Sequence, residues 1–136
     1  MSRYVLAISL LAVALGCQTP ERAAVQPLPP DAAPLSYPDL VQRVSLQVGA
    51  AHEFFYRDAW PDVTQASTAM QETATMLAKL KPEDVPAKHR DTLAKYSKEL
   101  SEAATALREA GQSKDAIKTT EAFQKLHLAV RELRRE

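Results

Sequence analysis

The chain has a single cysteine, Cys17, so no intramolecular disulfide is available to staple it. Glycine occurs three times and tryptophan once in 136 residues. That scarcity leaves no glycine-rich loop to cradle a phosphate, and no run of tight turns such as a sheet of short strands needs. Lys+Arg and Asp+Glu both number 17, so no net field draws the chain to nucleic acid or to an anionic surface. Its apolar run, Tyr4 to Leu15, has twelve residues. A membrane-spanning helix needs ~20. Period-two alternation of apolar and polar residues is absent as well, which argues against strands.

What the N-terminus does have is a charged start, Met1-Ser2-Arg3, then the apolar run, then Gly16 and Cys17. This order fits a secretory signal peptide. The segment Val13-Ala14-Leu15-Gly16-Cys17 resembles the lipobox of bacterial lipoproteins, with Ala14 where leucine is more usual. The resemblance implies removal of residues 1–16, acylation of Cys17, and a lipid membrane as partner through that cysteine. Two or three acyl chains, at ~0.8 kcal/mol per buried CH₂, hold far more firmly than one. Gln18 stands where aspartate would favour inner-membrane retention, which points to the outer membrane and its periplasmic face.

Residues 17–38 read as the lipidated cysteine and a tether, because six of the nine prolines fall at Pro20, Pro27, Pro29, Pro30, Pro34 and Pro38. Proline density of this kind opposes helix and central strand, and a polyproline segment of this length reaches about 65 Å. Composition shifts past Asp39. Between Val63 and Glu136 there are two prolines and one glycine, and Ala, Leu, Lys and Glu become frequent.

Residues 39–136 are therefore expected to be all-α, and apolar spacing marks four helices. The first spans about 39–57 with Leu40, Val44, Val48, Ala51 and Phe55 inward and Asp39 as its cap. The second starts at Trp60-Pro61 and ends near Leu80, with Val63, Ala66, Met70, Ala74, Met76 and Leu77 on its apolar positions. After the proline loop 81–86, the third runs over about 87–110 with Leu93, Tyr96, Leu100, Ala103 and Leu107 inward, and Gly111 caps it. The fourth follows Ser113 with Phe123, Leu126, Val130 and Leu133 inward. Short connections between helices of this length predict an antiparallel up-down-up-down four-helix bundle. A three-helix bundle with the first two fused is the alternative.

The order and length of these helices, the aromatic end of the first, Trp60-Pro61-Asp62-Val63 and the arginine near the C-terminus make residues 39–136 resemble the cytochrome c′ (class II cytochrome c) family. Members of that family end in a C-x-x-C-H-x-x-Y/F-R pattern. Aligned on Arg134, the stretch Phe123 to Arg134 places Leu126 and Ala129 at the two haem-attaching cysteines and Val130 at the axial histidine. Neither covalent attachment nor proximal ligation has its chemistry at those places. The resemblance thus implies a haem-less relative, and no cofactor is expected.

Three histidines remain as candidate ligands. His52 falls on the flank of the first helix and His127 at the inner edge of the fourth. An even antiparallel register places them five or six residues apart, about 8 Å at ~1.5 Å per residue. That offset is too large for one metal with ligand distances near 2 Å. His89 has no predictable partner, and Met70 and Met76 read as core filler. Phe54, Phe55, Tyr56 and Trp60 cluster at one end, as a plug or as a contact patch. Carboxylates such as Glu132 sit singly near Arg or Lys. No nucleophile–base constellation appears, so no enzyme is expected. The expected function is an envelope lipoprotein whose bundle binds another envelope protein. The alternative is a periplasmic electron-transfer, metal-binding or haem-binding protein with non-covalent ligands, which would require the histidines at one level.

Overall fold

The computed structural model describes residues 18–136; the expected signal peptide, 1–16, and Cys17 lie outside the described residues. Five α-helices follow in order: α1 (Pro20–Val25), α2 (Tyr37–Tyr56), α3 (Trp60–Ala78), α4 (Leu93–Gln112) and α5 (Ala116–Arg134). Two 3₁₀ turns, Pro82–Asp84 and Ala87–His89, occupy the proline loop, and no strand occurs among the described residues. None of these helices is long and apolar enough to cross a membrane.

The boundaries follow from local chemistry. α2 begins two residues before the expected start because Ser36, and not Asp39, is its cap. The Ser36 hydroxyl accepts from the Asp39 amide at 3.3 Å and donates to the Asp39 carboxylate at 2.8 Å. Pro38 fits this first turn, where its missing N–H is not needed. Asp58 takes a left-handed φ of 55° and breaks α2 from α3, so the fused three-helix alternative does not hold. Aspartate tolerates that conformation better than most residues.

α4 starts at Leu93 instead of about Ala87. Pro86 holds an extended backbone, and the residues after it close only a 3₁₀ turn. Gly111 is not the cap expected of it. It lies inside α4 without a positive φ, and Ser113 terminates the helix. Its value is its size: a Cβ there would sit 3.1 Å from Thr64 Oγ1 and 3.4 Å from Val63 Cγ1 of α3. Lys114, with φ 52°, makes the turn instead, and the Asp115 carboxylate then caps α5 by accepting from the Lys118 amide at 3.0 Å.

The apolar stripes meet as the spacing required. Leu40, Val44, Val63, Met70, Leu77, Leu100, Leu107, Leu126 and Leu133 are fully buried and share one core. The tether expectation fails in part. Residues 20–25 form a helix, with Thr19 accepting from the Arg22 amide at 3.4 Å and Pro20 in the first turn. Ala24 and Val25 are buried. Gln47 Nε2 donates to the Ala24 carbonyl at 2.9 Å, Arg43 to the Gln26 carbonyl at 2.7 Å, and Arg22 pairs with Glu53 at 2.8 Å. A proline in a first turn does not oppose a helix, and Ala-Ala-Val gives the segment enough hydrocarbon to bury. Residues 20–25 of the supposed tether are therefore packed on the body, while residues 29–34 stay exposed.

Candidate functional site

α2 and α5 lie side by side with opposed ends. The Tyr37 hydroxyl, in the first turn of α2, donates to the Leu133 carbonyl near the end of α5 at 2.6 Å. At the other end the Phe55 and Phe123 rings are 5.8 Å apart. This seam is thinner than those joining α2 to α3, α3 to α4 and α4 to α5. Aromatic rings fill it.

Two histidines close it. The half-buried His52 ring stacks on Phe123 with centroids 3.8 Å apart and planes 16° apart. Its Nε2 lies 2.8 Å from Nε2 of the exposed His127. The expected 8 Å separation is thus wrong, and side-chain direction explains why. Every Cα–Cβ bond leans toward its own helix N-terminus. His52 leans along α5 toward residue 127, and His127 leans back toward residue 123. Counting axial rise alone misses two displacements that add.

Burial depresses the His52 pKa below the ordinary histidine value, and the neighbouring His127 lowers it further. His52 is accordingly neutral at pH 7. One ring nitrogen of the pair donates and the other accepts, according to tautomer. The outer face of His127 borders an open cavity of about 530 Å³ lined also by Val130, Arg131, Arg134 and Arg135. Tyr56, exposed and one turn after His52, stacks on it at 6.1 Å between centroids.

The other candidates separate from this pair. His89 is buried and stacks on Tyr37 at 5.4 Å, at the opposite end of α2. Met70 is fully buried and Met76 partly so, both against the core. Leu126, Ala129 and Val130, which the resemblance aligned with haem-holding positions, are 0%, 1% and 7% exposed and belong to the packed interior. Glu132 is paired with Arg135 at 3.3 Å. Among the described residues no group of three or more His, Cys, Asp or Glu side chains is placed to hold a metal.

Sequence reasoning missed one polar network entirely. Gln47, fully buried, accepts from Thr73 Oγ1 at 3.0 Å while donating to Ala24, which joins α1, α2 and α3. Only the interruption of the α2 apolar stripe by a glutamine on its inner face signalled it.

The comparisons leave the site to its own chemistry: no protein-family model, no curated protein and no solved structure matches the chain.

Proposed function

We propose that the chain is a lipid-anchored module of the bacterial envelope, a haem-free up-down-up-down four-helix bundle that works by binding and not by catalysis. Its site binds a divalent transition metal between His52 and His127. The observation that carries the metal reading is the 2.8 Å separation of the two Nε2 atoms from different helices. Nitrogens in adjacent positions of a tetragonal metal, each ~2.0 Å from it, lie about 2.8 Å apart, against about 3.3 Å in a tetrahedral site. The spacing favours Cu²⁺ or Ni²⁺ over Zn²⁺. Rotation of both rings away from the N···N line would aim the two lone pairs at one metal. His52 is already in the neutral form that a metal requires. Water or a small anion completes the coordination, and Arg131, Arg134 and Arg135 beside His127 favour the anion.

The likeness to cytochrome c′ supports the bundle and not the cofactor. Hydrocarbon at 126, 129 and 130 fills the interior where a macrocycle and its ligands would need room. The lipid anchor rests on the lipobox, and the binding role on a site open to solvent at His127.

The test is thermal unfolding of the mature chain with added Cu²⁺, Ni²⁺, Zn²⁺ or haem. A ligand that binds only the folded state stabilises it by ~2.7 kcal/mol at a hundred times its Kd. Cu²⁺ should raise the Tm by several degrees and give a visible absorption band, and haem should do neither. His52→Ala and His127→Ala should each abolish the rise. An unchanged Tm with all three metals would sink the metal site and leave a protein-binding module.

A further inference from the structure

α1 lies along α2 in the opposite sense. Arg22 meets Glu53, the Ala24 carbonyl meets Gln47, and the Gln26 carbonyl meets Arg43. Moving backward along the chain from Gln26 to Arg22 therefore moves forward along α2, toward its last turn. Thr19, which caps α1, continues in that direction toward Tyr56 and Arg57. Cys17 is two residues before Thr19, and two residues of chain span at most about 7 Å. Packing of residues 20–25 against α2 thus removes the long leash that the prolines suggested. The described residues next to Cys17 are therefore held close to one end of the bundle.

That end has an unusual surface. Tyr56 is 79% exposed and Ile117, in the first turn of α5, is 75% exposed. Both belong to the same end, because Phe55, next to Tyr56, packs on Phe123 of the α5 N-terminal half. Trp60, half-buried, opens α3 beside them with its ring against Phe55 at 5.5 Å. Of the large apolar side chains exposed among the described residues, only Leu128, 53% exposed, lies elsewhere, on the flank of α5. A tyrosine, a tryptophan and an isoleucine around one chain end match the composition of a bilayer interface, where amphipathic rings sit at headgroup level. Arg57, Lys114 and Lys118 at this end are balanced by Asp58, Asp62 and Asp115. Electrostatic attraction to anionic lipid is therefore not the driving force.

We infer that this end of the bundle, through Tyr56, Trp60 and Ile117, rests on the bilayer surface, an inference that depends on the lipid anchorage at Cys17 proposed above. The acyl chains bring the patch to the membrane at high effective concentration, so a small apolar contact is enough to orient the body. The His52–His127 pair then stands about one helical turn above the headgroups, since Tyr56 is one turn beyond His52. The proline loop 81–86 and the C-terminus face away.

The experiment uses single-tryptophan forms of the mature chain, because the only native tryptophan is Trp60. Tyr56→Trp, Ile117→Trp and Leu128→Trp, each combined with Trp60→Phe, are coupled through Cys17 to a maleimide lipid. The vesicles are phosphatidylethanolamine and phosphatidylglycerol doped with brominated phosphatidylcholine, which quenches only tryptophan in contact with lipid. Tryptophan at 56 and at 117 should lose most of its emission and shift to the blue, while tryptophan at 128 keeps both. The pattern should persist when phosphatidylglycerol is left out. Quenching at 56 and 117 no greater than at 128 overturns the docking face. Fatty-acid labelling of Cys17 in the native chain, with Cys17→Ser as control, tests the anchor by itself. Absence of label there withdraws the anchor and with it the proposal, whereas label present with uniform quenching rejects only the docking face.

Discussion

His52 gives up its proton more readily than a free imidazole, because its ring is half-buried against Phe123 and faces His127. A base with a lowered folded-state pKa binds fewer protons folded than unfolded across the interval between the two values. Stability therefore rises with pH there. The contribution is fully present above the unfolded value, about 6.5. It is lost as pH falls through the folded value. Melts recorded between pH 7.5 and 5 should show Tm falling on acidification, and His52→Phe should flatten that slope while keeping the stack on Phe123. An equal slope in the variant would place the titration elsewhere. The residues of this site were legible one at a time, since His52 and His127 fall near the inner faces of their helices. Their meeting was not, because it depends on the lean of each side chain.

α1 shows how a short helix is held by groups outside it. Six residues cannot form a stable helix alone, as nucleation is costly and few hydrogen bonds follow. Gln47 supplies what is missing, donating to Ala24 from a fully buried position in α2. Gln47→Leu fills similar space but leaves the Ala24 carbonyl without its partner. Loss of such a bond in a buried place costs about 1–3 kcal/mol. Thr73 keeps its own bond to the Ala69 carbonyl, so the damage should be confined to α1. Hydrogen exchange in Gln47→Leu should accelerate over residues 20–26 and stay unchanged in α4. Unchanged exchange over residues 20–26 would show that α1 is held without the Gln47 bond, by Ala24, Val25 and the Arg22 and Arg43 contacts. Here the prolines misled: their number argued for an open tether, whereas the position of Pro20 at a helix start is what counts.

The core depends on a few large aliphatic side chains joined across four long helices. Leu100 is fully buried in α4, where both its neighbours α3 and α5 are packed against it. Leu100→Ala should cost about 2–5 kcal/mol, the usual range for a large-to-small change with incomplete collapse. Denaturant unfolding followed by circular dichroism measures it; a cost under ~1 kcal/mol would contradict a core position.

All-helical character, the stripes centred on Val44, Met70, Leu100 and Leu126, and the breaks near Trp60 and Pro86 could be read from the chain. These depend on neighbours three and four residues away. The resemblance of the N-terminus to a lipobox rests likewise on a local order of charge, hydrocarbon and cysteine. Three features required contacts distant in sequence. Gly111 is a packing residue and not a cap because Thr64 of α3 approaches it. Residues 20–25 are folded because Gln47 and Glu53 of α2 receive them. His52 and His127 touch because two helices of opposite direction lean their side chains toward a common point. Periodicity fixes which face of a helix is buried, but the level at which two faces meet is set by how side chains fit between them, and no single helix contains that information.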